Sequence, residues 1–289
     1  MKRKDFLKMS GGLALTGLAS NNIFATLAND EEAKKLKTFG LQLYTLRADF
    51  PKDPKAVLKQ VADFGYKQVE SFEGPKGIFW GMTNTEFKSY LDSIGLTIVA
   101  SHCDINKDFE KKAGEAAAID MKYLICPWKG PQKDLDAFKK FADEFNQKGE
   151  ICKKNGIRFA YHNHDYSFIN MNGEMGQDIM MKNTDPGLVD FELDMYWVVA
   201  GGQDIETWLK KYPNRFRLCH VKDRKKNAAL TDKDASCIVG TGSIDFAKIL
   251  KTAKQNGMKY FIIEQERYDD TTPLKAVEAN AAYMKGLKI

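Results

Sequence analysis

IDFAKILKTAKQNGMKYFIIEQE, residues 244–266, contains the unit that decides the fold: an amphipathic stretch, a glycine, and a short apolar run ending in acid. Phe246, Ile249, Leu250 and Ala253 fall at helical spacing, so one face of a helix is apolar. Gly257 follows, and glycine takes the left-handed conformation that ends a helix at little cost. Tyr260–Glu266 then reads as a strand, with Glu264 and Glu266 on one face. The same grammar recurs in PKAVLKQVADFG (54–65), TEFKSYLDSIG (85–95) and LDAFKKFADEFNQKGEICKKNG (135–156), closed by Gly65, Gly95 and Gly156.

Eight strands are expected on this pattern: Thr38–Arg47, Gln68–Phe72, Thr97–Asp104, Tyr123–Trp128, Arg158–His164, Leu188–Trp197, Phe216–Asp223 and Tyr260–Glu266. Eight strands alternating with helices match a closed parallel (β/α)8 barrel, a TIM barrel, as one domain over residues 38–289. An open doubly wound sheet usually needs fewer strands and a glycine-rich turn after the first. Here the first strand runs into LYTLRADF.

Residues 1–28 read as an export signal. MKRKDFLK is a basic start, GGLALTGLA a short apolar stretch, and Ala25 and Ala28 offer cleavage points. Arg3-Lys4 resembles a twin-arginine signal with lysine in the second place, so a periplasmic location is expected. The apolar stretch is too short to be a stable membrane anchor. The leader carries four basic residues against one acidic residue, +3 of the chain's +5, leaving +2 for the rest. That small excess argues against a nucleic-acid partner. The five cysteines, Cys103, Cys126, Cys152, Cys219 and Cys237, are odd in number and lack a CxxC pair. They read as free thiols.

The four histidines, His102, His162, His164 and His220, all fall at C-terminal ends of expected strands, the rim where such barrels keep their active sites. VDFELDMYW places Asp190, Glu192 and Asp194 on one face of the sixth strand. CHVKD places His220 and Lys222 together, and YHNHD does the same for His162 and His164. Carboxylates in apolar strands are costly unless paired or metal-bound. Neighbouring strands thus aim His, Asp, His and Glu at one point, a mixed nitrogen and oxygen set suited to one divalent ion: Mn, Zn, Co, Fe or Mg. Gln42, Tyr44, Arg47, His102 and Trp128 are the candidate substrate contacts. Lys222 and Arg47 are placed to neutralise an oxyanion or carboxylate. The Gly240–Ser243 loop reads first as a capping turn with Ser243 as helix N-cap, and second as an anion site.

LQLYTLR, YHNHD, FELDMYW, HVKD and GTGSID together resemble the xylose-isomerase-like sugar isomerase/epimerase superfamily, in an exported bacterial form. The resemblance implies a metal held by Glu, Asp, His and Glu from strands five to eight. Asp194, His220 and Glu264 take the last three places, while the first falls on His162, which is not a glutamate. It implies an isomerase or epimerase that takes a proton α to a carbonyl of a sugar or keto-sugar through a metal-stabilised enediolate. Glu264, His164 and Lys222 are the candidate catalytic groups. The His-for-Glu change raises an alternative, a lyase eliminating from 3-keto-glycosides. A metal-dependent phosphodiesterase is the weaker alternative, as four histidines are few for that chemistry. The implied partner is a small carbohydrate, and a homo-oligomer is possible.

Overall fold

The computed structural model describes residues 35–289. The expected export signal over residues 1–28 lies outside the described residues. Eight parallel strands close into a barrel: β1 (Gly40–Gln42), β2 (Gln68–Phe72), β3 (Thr97–His102), β4 (Tyr123–Cys126), β5 (Arg158–His162), β6 (Val189–Asp194), β7 (Phe216–Val221) and β8 (Tyr260–Ile263). They pair in chain order, and β1 closes against β8 with Gly40 opposite Ile262 and Leu41 opposite Ile263. A Cβ on Gly40 would sit 2.5 Å from Ile262 Cδ1, so the closing seam accepts glycine and resists anything larger.

Helices alternate with the strands: α1 (Pro54–Asp63), α2 (Asn84–Ser93), α3 (Phe109–Ala117), α4 (Leu135–Lys154), α5 (Gly176–Asn183), α6 (Met195–Ala200), α7 (Ile205–Lys211), α8 (Phe246–Gln255) and α9 (Pro273–Gly286). The sequence fixes their ends through capping side chains. Asp53, Asp134, Asp204 and Asp245 each accept a backbone N–H of the first turn, and Thr83 with Glu86 forms a capping box. Gly65, Gly95, Gly156 and Gly257 have φ of 97, 74, 79 and 93°, the left-handed conformation the pattern requires. Most of the apolar core lies between helices and barrel. A second small cluster, including Ala100, Ile125, Ala160 and Leu218, comes from the strands. No described helix is long and apolar enough to cross a membrane.

Three expectations need correction. Several strands stop short of the expected ends. The clearest case is β6, which ends at Asp194, while Met195–Trp197 begin α6. Asp194 explains the break, since its Oδ1 accepts the Trp197 N–H and starts a helix where the aromatic run reads as strand. After β1, residues Leu43–Leu46 turn into a 3-10 helix, with the Gln42 side chain accepting the Tyr44 N–H. Finally, Ser243 does not cap α8; Asp245 does, accepting the Lys248 N–H. The five cysteines are all free thiols, and four are buried.

Candidate metal centre and its pocket

Alternation along each strand sends every second side chain inward, and on β6 this stacks three carboxylates at three depths. Lowest is Asp190, which pairs with Arg158 (Nη2 to Oδ1, 2.9 Å) and accepts the Tyr123 hydroxyl at 3.0 Å. That pair is structural. Glu192 and Asp194, two and four residues on, belong to two further layers that share His220.

The upper layer holds His162, Asp194, His220 and Glu264, all buried, each offering a ligand atom within 4.8 Å of the others. Hydrogen bonds fix which ring nitrogen faces inward. His162 Nδ1 lies 3.3 Å from the Pro127 carbonyl, which can only accept, so Nδ1 carries the proton. Its Nε2 is then a bare lone pair, 3.4 Å from Asp194 Oδ2. His220 Nε2 lies 2.9 Å from Glu70 Oε1 and donates to it. Its Nδ1 is buried without a hydrogen-bond partner, facing Glu264 Oε2 at 3.3 Å and Asp194 Oδ2 at 3.5 Å. Two ring nitrogens and two carboxylates converging at a buried point fit a divalent cation, and Glu70 supplies the outer hydrogen bond that ligand histidines commonly carry.

Burial works to raise the Asp194 and Glu264 pKa values, but Lys222 and the neighbouring histidines outweigh it and hold both well below the usual range. Burial pushes the His162 imidazole down to about 4, helped by the His220 charge, so it is neutral at pH 7. Burial acts on His220 in the same direction, yet Glu192, Glu264 and Asp194 overcome it and hold a proton there well above the usual range. A cation must displace that proton to reach Nδ1. Near neutral pH, one proton should therefore leave per ion bound, and affinity should rise about tenfold per pH unit. Calorimetry in buffers of different ionisation enthalpy reads this directly, and a heat independent of buffer would refute it.

The lower layer was only partly legible beforehand. Glu70 Oε1 accepts from Gln42 Nε2 at 2.6 Å and from His220, and His102 Nε2 lies between Glu70 Oε1 (3.1 Å) and Glu192 Oε2 (2.8 Å). Burial and the nearby Glu70 charge push the Glu192 carboxyl up to about 7. His102 is held up at about 9 by Glu70 and Glu192 against the opposing effect of burial. Glu70→Gln keeps the shape and removes the charged acceptor. Metal affinity should fall about 10- to 100-fold, measured by titration against a competing chelator; unchanged affinity would show that Glu70 does not support the ligand.

Above these layers opens a cavity of about 370 Å3. Its walls include Tyr44, His102, Trp128, His162, His164, Lys222 and Glu264 from the expected site, with Glu73, Asp104, Trp197 and Glu266 added. Lys222 Nζ lies 3.0 Å from Glu264 Oε2, contacts Glu266, and is 3.8 Å from Asp194 Oδ2. Against burial, these carboxylates keep its ammonium charged. His164 is packed among the Trp128, Tyr166 and Trp197 rings, its Nδ1 has no partner, and burial drives its pKa well down.

Two expected substrate contacts lie elsewhere. Gln42 is fully buried beneath the cavity, its amide used by Glu70 and the Tyr44 N–H. Arg47 donates to the carbonyls of Tyr44 and Glu266 and is not on the cavity wall. Nor is the Gly240–Ser243 loop an open anion site. The Asp223 carboxylate accepts the backbone N–H groups of Gly240, Gly242, Ile244 and Arg224.

Residues 58–287 match the family model described as xylose isomerase-like TIM barrel. A crystal structure of a sugar phosphate isomerase/epimerase from Parabacteroides distasonis is 30% identical, with a TM-score of 0.75 over 88% of this chain and 95% of that one. An inosose dehydratase from Clostridium perfringens is 27% identical over 197 residues, 63% of this chain and 62% of the relative's own length. A structure of IOLI protein with a bound zinc atom has a TM-score of 0.68 over 85% of this chain and 95% of that one; at 14% identity it shows the fold alone. With the barrel closed and the family model spanning most of it, the chain belongs to the xylose isomerase-like TIM-barrel family.

Proposed function

We propose that this protein is a divalent-metal-dependent enzyme that removes the proton next to a carbonyl of a sugar or keto-sugar. One observation carries the reading: the buried Nδ1 of His220, without a hydrogen-bond partner and faced by Asp194 and Glu264. The names of the relatives, a sugar isomerase/epimerase and an inosose dehydratase, support the same first step. A divalent cation held by His162, Asp194, His220 and Glu264 would supply Lewis-acid polarisation of the carbonyl oxygen.

The protein's own groups divide the remaining work. His164 is neutral and lines the cavity; its Nδ1 is buried, so its Nε2 takes the proton as the C–H bond breaks. Lys222, held charged, donates to an oxygen that gains charge. The aromatic walls exclude water and give a sugar ring a face to rest on. Return of the proton to carbon completes an isomerisation or epimerisation. Loss of the β-oxygen, protonated by Lys222 as the carbon–carbon double bond forms, completes an elimination. Elimination is favoured by His162, which stands where the resemblance implies a glutamate, and by the dehydratase name of the curated relatives.

Incubation with Mn or Zn in deuterated water, with free ketoses, an inosose and a 3-keto-glycoside, tests the reading. Deuterium at the carbon beside the carbonyl is the expected result. Accompanying release of water or aglycone selects elimination. A panel in which no substrate exchanges or is consumed refutes the proposal. The leader over residues 1–28 leads us to propose a periplasmic location; N-terminal sequencing of the periplasmic protein that finds Met1 intact would refute its cleavage.

A further inference from the structure

We infer that the pocket takes an uncharged sugar or polyol ring and discriminates against phosphorylated or carboxylated ones, an inference that rests on the sugar-processing reading above.

Barrels of this class commonly bind phosphate at the loops after strands seven and eight and at the N-terminus of a short extra helix. Here the loop after strand seven is already filled by a carboxylate of the chain itself. The glycine loop after β7 gives three N–H groups, those of Gly240, Gly242 and Ile244, to Asp223 at 2.9, 2.8 and 3.2 Å. A Cβ on Gly242 would lie 2.3 Å from Asp223 Oδ1, so the loop is closed tightly around that side chain. After β6, on the same rim, the short helix α6 likewise gives its Trp197 N–H to Asp194 Oδ1 at 3.0 Å.

Side-chain cations do not make up the loss. The cavity wall carries four carboxylates, Glu73, Asp104, Glu264 and Glu266, against the ammonium of Lys222 and the His102 imidazole, which is engaged by Glu70 at 3.1 Å and Glu192 at 2.8 Å. Lys222 is itself surrounded by Glu264, Glu266 and Asp194. The nearby cations are engaged too. Lys112 is 2.7 Å from Glu73 Oε2 and donates to the Asp104 carbonyl, while Lys129 pairs with Glu144. Arg47 is spent on the two main-chain carbonyls described above. A bound cation offsets part of this negative charge deep in the site, but the rim carboxylates Glu73 and Asp104 lie on the wall where a ring substituent would project. What the mouth offers instead is aromatic surface. Trp128 is 52% exposed, and with Tyr44 it is one of four large hydrophobic side chains exposed among the described residues. Rings of this kind suit the C–H faces of a neutral sugar.

The test is a set of matched pairs, D-fructose with D-fructose 6-phosphate and D-psicose with D-psicose 6-phosphate, added to the metal-loaded protein. Binding is read from the fluorescence of Trp128 and Trp197. Solvent deuterium exchange is read separately. The neutral member should bind at least about tenfold more tightly in each pair, since like-charge juxtaposition is strongly penalised. Glu266→Gln should narrow the gap. A phosphorylated member that binds as well or better overturns the inference, as does a panel in which no neutral sugar binds. Exchange into a phosphorylated sugar would leave the proton-abstraction reading standing while this inference falls. Neutral binding without exchange would do the reverse.

Discussion

Asp194→Asn should leave a folded barrel that holds no metal and turns over at least about a thousandfold more slowly. Asp194 does two jobs with two oxygens. Oδ1 caps α6 at 3.0 Å from the Trp197 N–H, and Oδ2 faces His162, His220 and Lys222. Asparagine remains a competent helix cap, so the cost to stability is a few tenths of a kcal/mol up to ~1 kcal/mol. It removes one of the two ionised carboxylates of the upper layer. Metal assistance is worth several kcal/mol of transition-state stabilisation, and ~4 kcal/mol corresponds to about a thousandfold in rate. Elemental analysis of the purified variant, beside wild type with about one divalent ion per chain, checks the first part. A variant that retains the ion, or a metal-free wild type with full activity, would refute the assignment of this cluster.

Lys222→Met should separate the two properties that Asp194→Asn abolishes together. Removing an ammonium 3.0 Å from Glu264 and 3.8 Å from Asp194 leaves those carboxylates free to face a cation alone, so metal should bind as tightly or more tightly. Turnover should nonetheless fall about 100- to 10,000-fold, the range for losing a positioned proton donor. Without metal the variant should unfold at lower urea. An uncompensated buried charge costs ~3–5 kcal/mol, and added cation should restore much of that stability through its preferential binding to the folded state. Urea curves with and without Zn, a chelator titration and a turnover assay give all three numbers. Weaker metal binding would mean that Lys222 orders the ligands.

The barrel was legible because its strands are short apolar runs placed just after glycines that end helices, and Gly65, Gly95, Gly156 and Gly257 do end them. What misled at the strand ends was chemistry that serves two purposes. In Asp194-Met195-Tyr196-Trp197 an aromatic run that reads as strand follows an aspartate that caps a helix. The upper layer of the site could be read because its residues are the last inward positions of neighbouring strands. Glu70 was harder. It is one glutamate in QVESF, and the partners that explain it, Gln42, His102 and His220, come together only when the barrel closes. The available signal was its place at an inward position of an expected strand, the same cost argument that singled out Glu192. Gln42 and Arg47 read as substrate contacts from their position on the expected first strand, Thr38–Arg47. Nothing in the sequence says that an amide will turn down to a carboxylate or a guanidinium back to two carbonyls.

The seam between β1 and β8 sets an order of events during synthesis. β1 is complete at residue 42, but its second neighbour begins at residue 260, so the sheet keeps an open edge until more than two hundred further residues have been made. Glu264 follows directly on that last strand and so reaches the site as the sheet becomes a ring. A nascent chain that stops short of residue 260 therefore has both an unpaired edge and an incomplete set of ligands. Closure of the backbone and readiness for the cation are one step, reached only once residues 260–264 have been added.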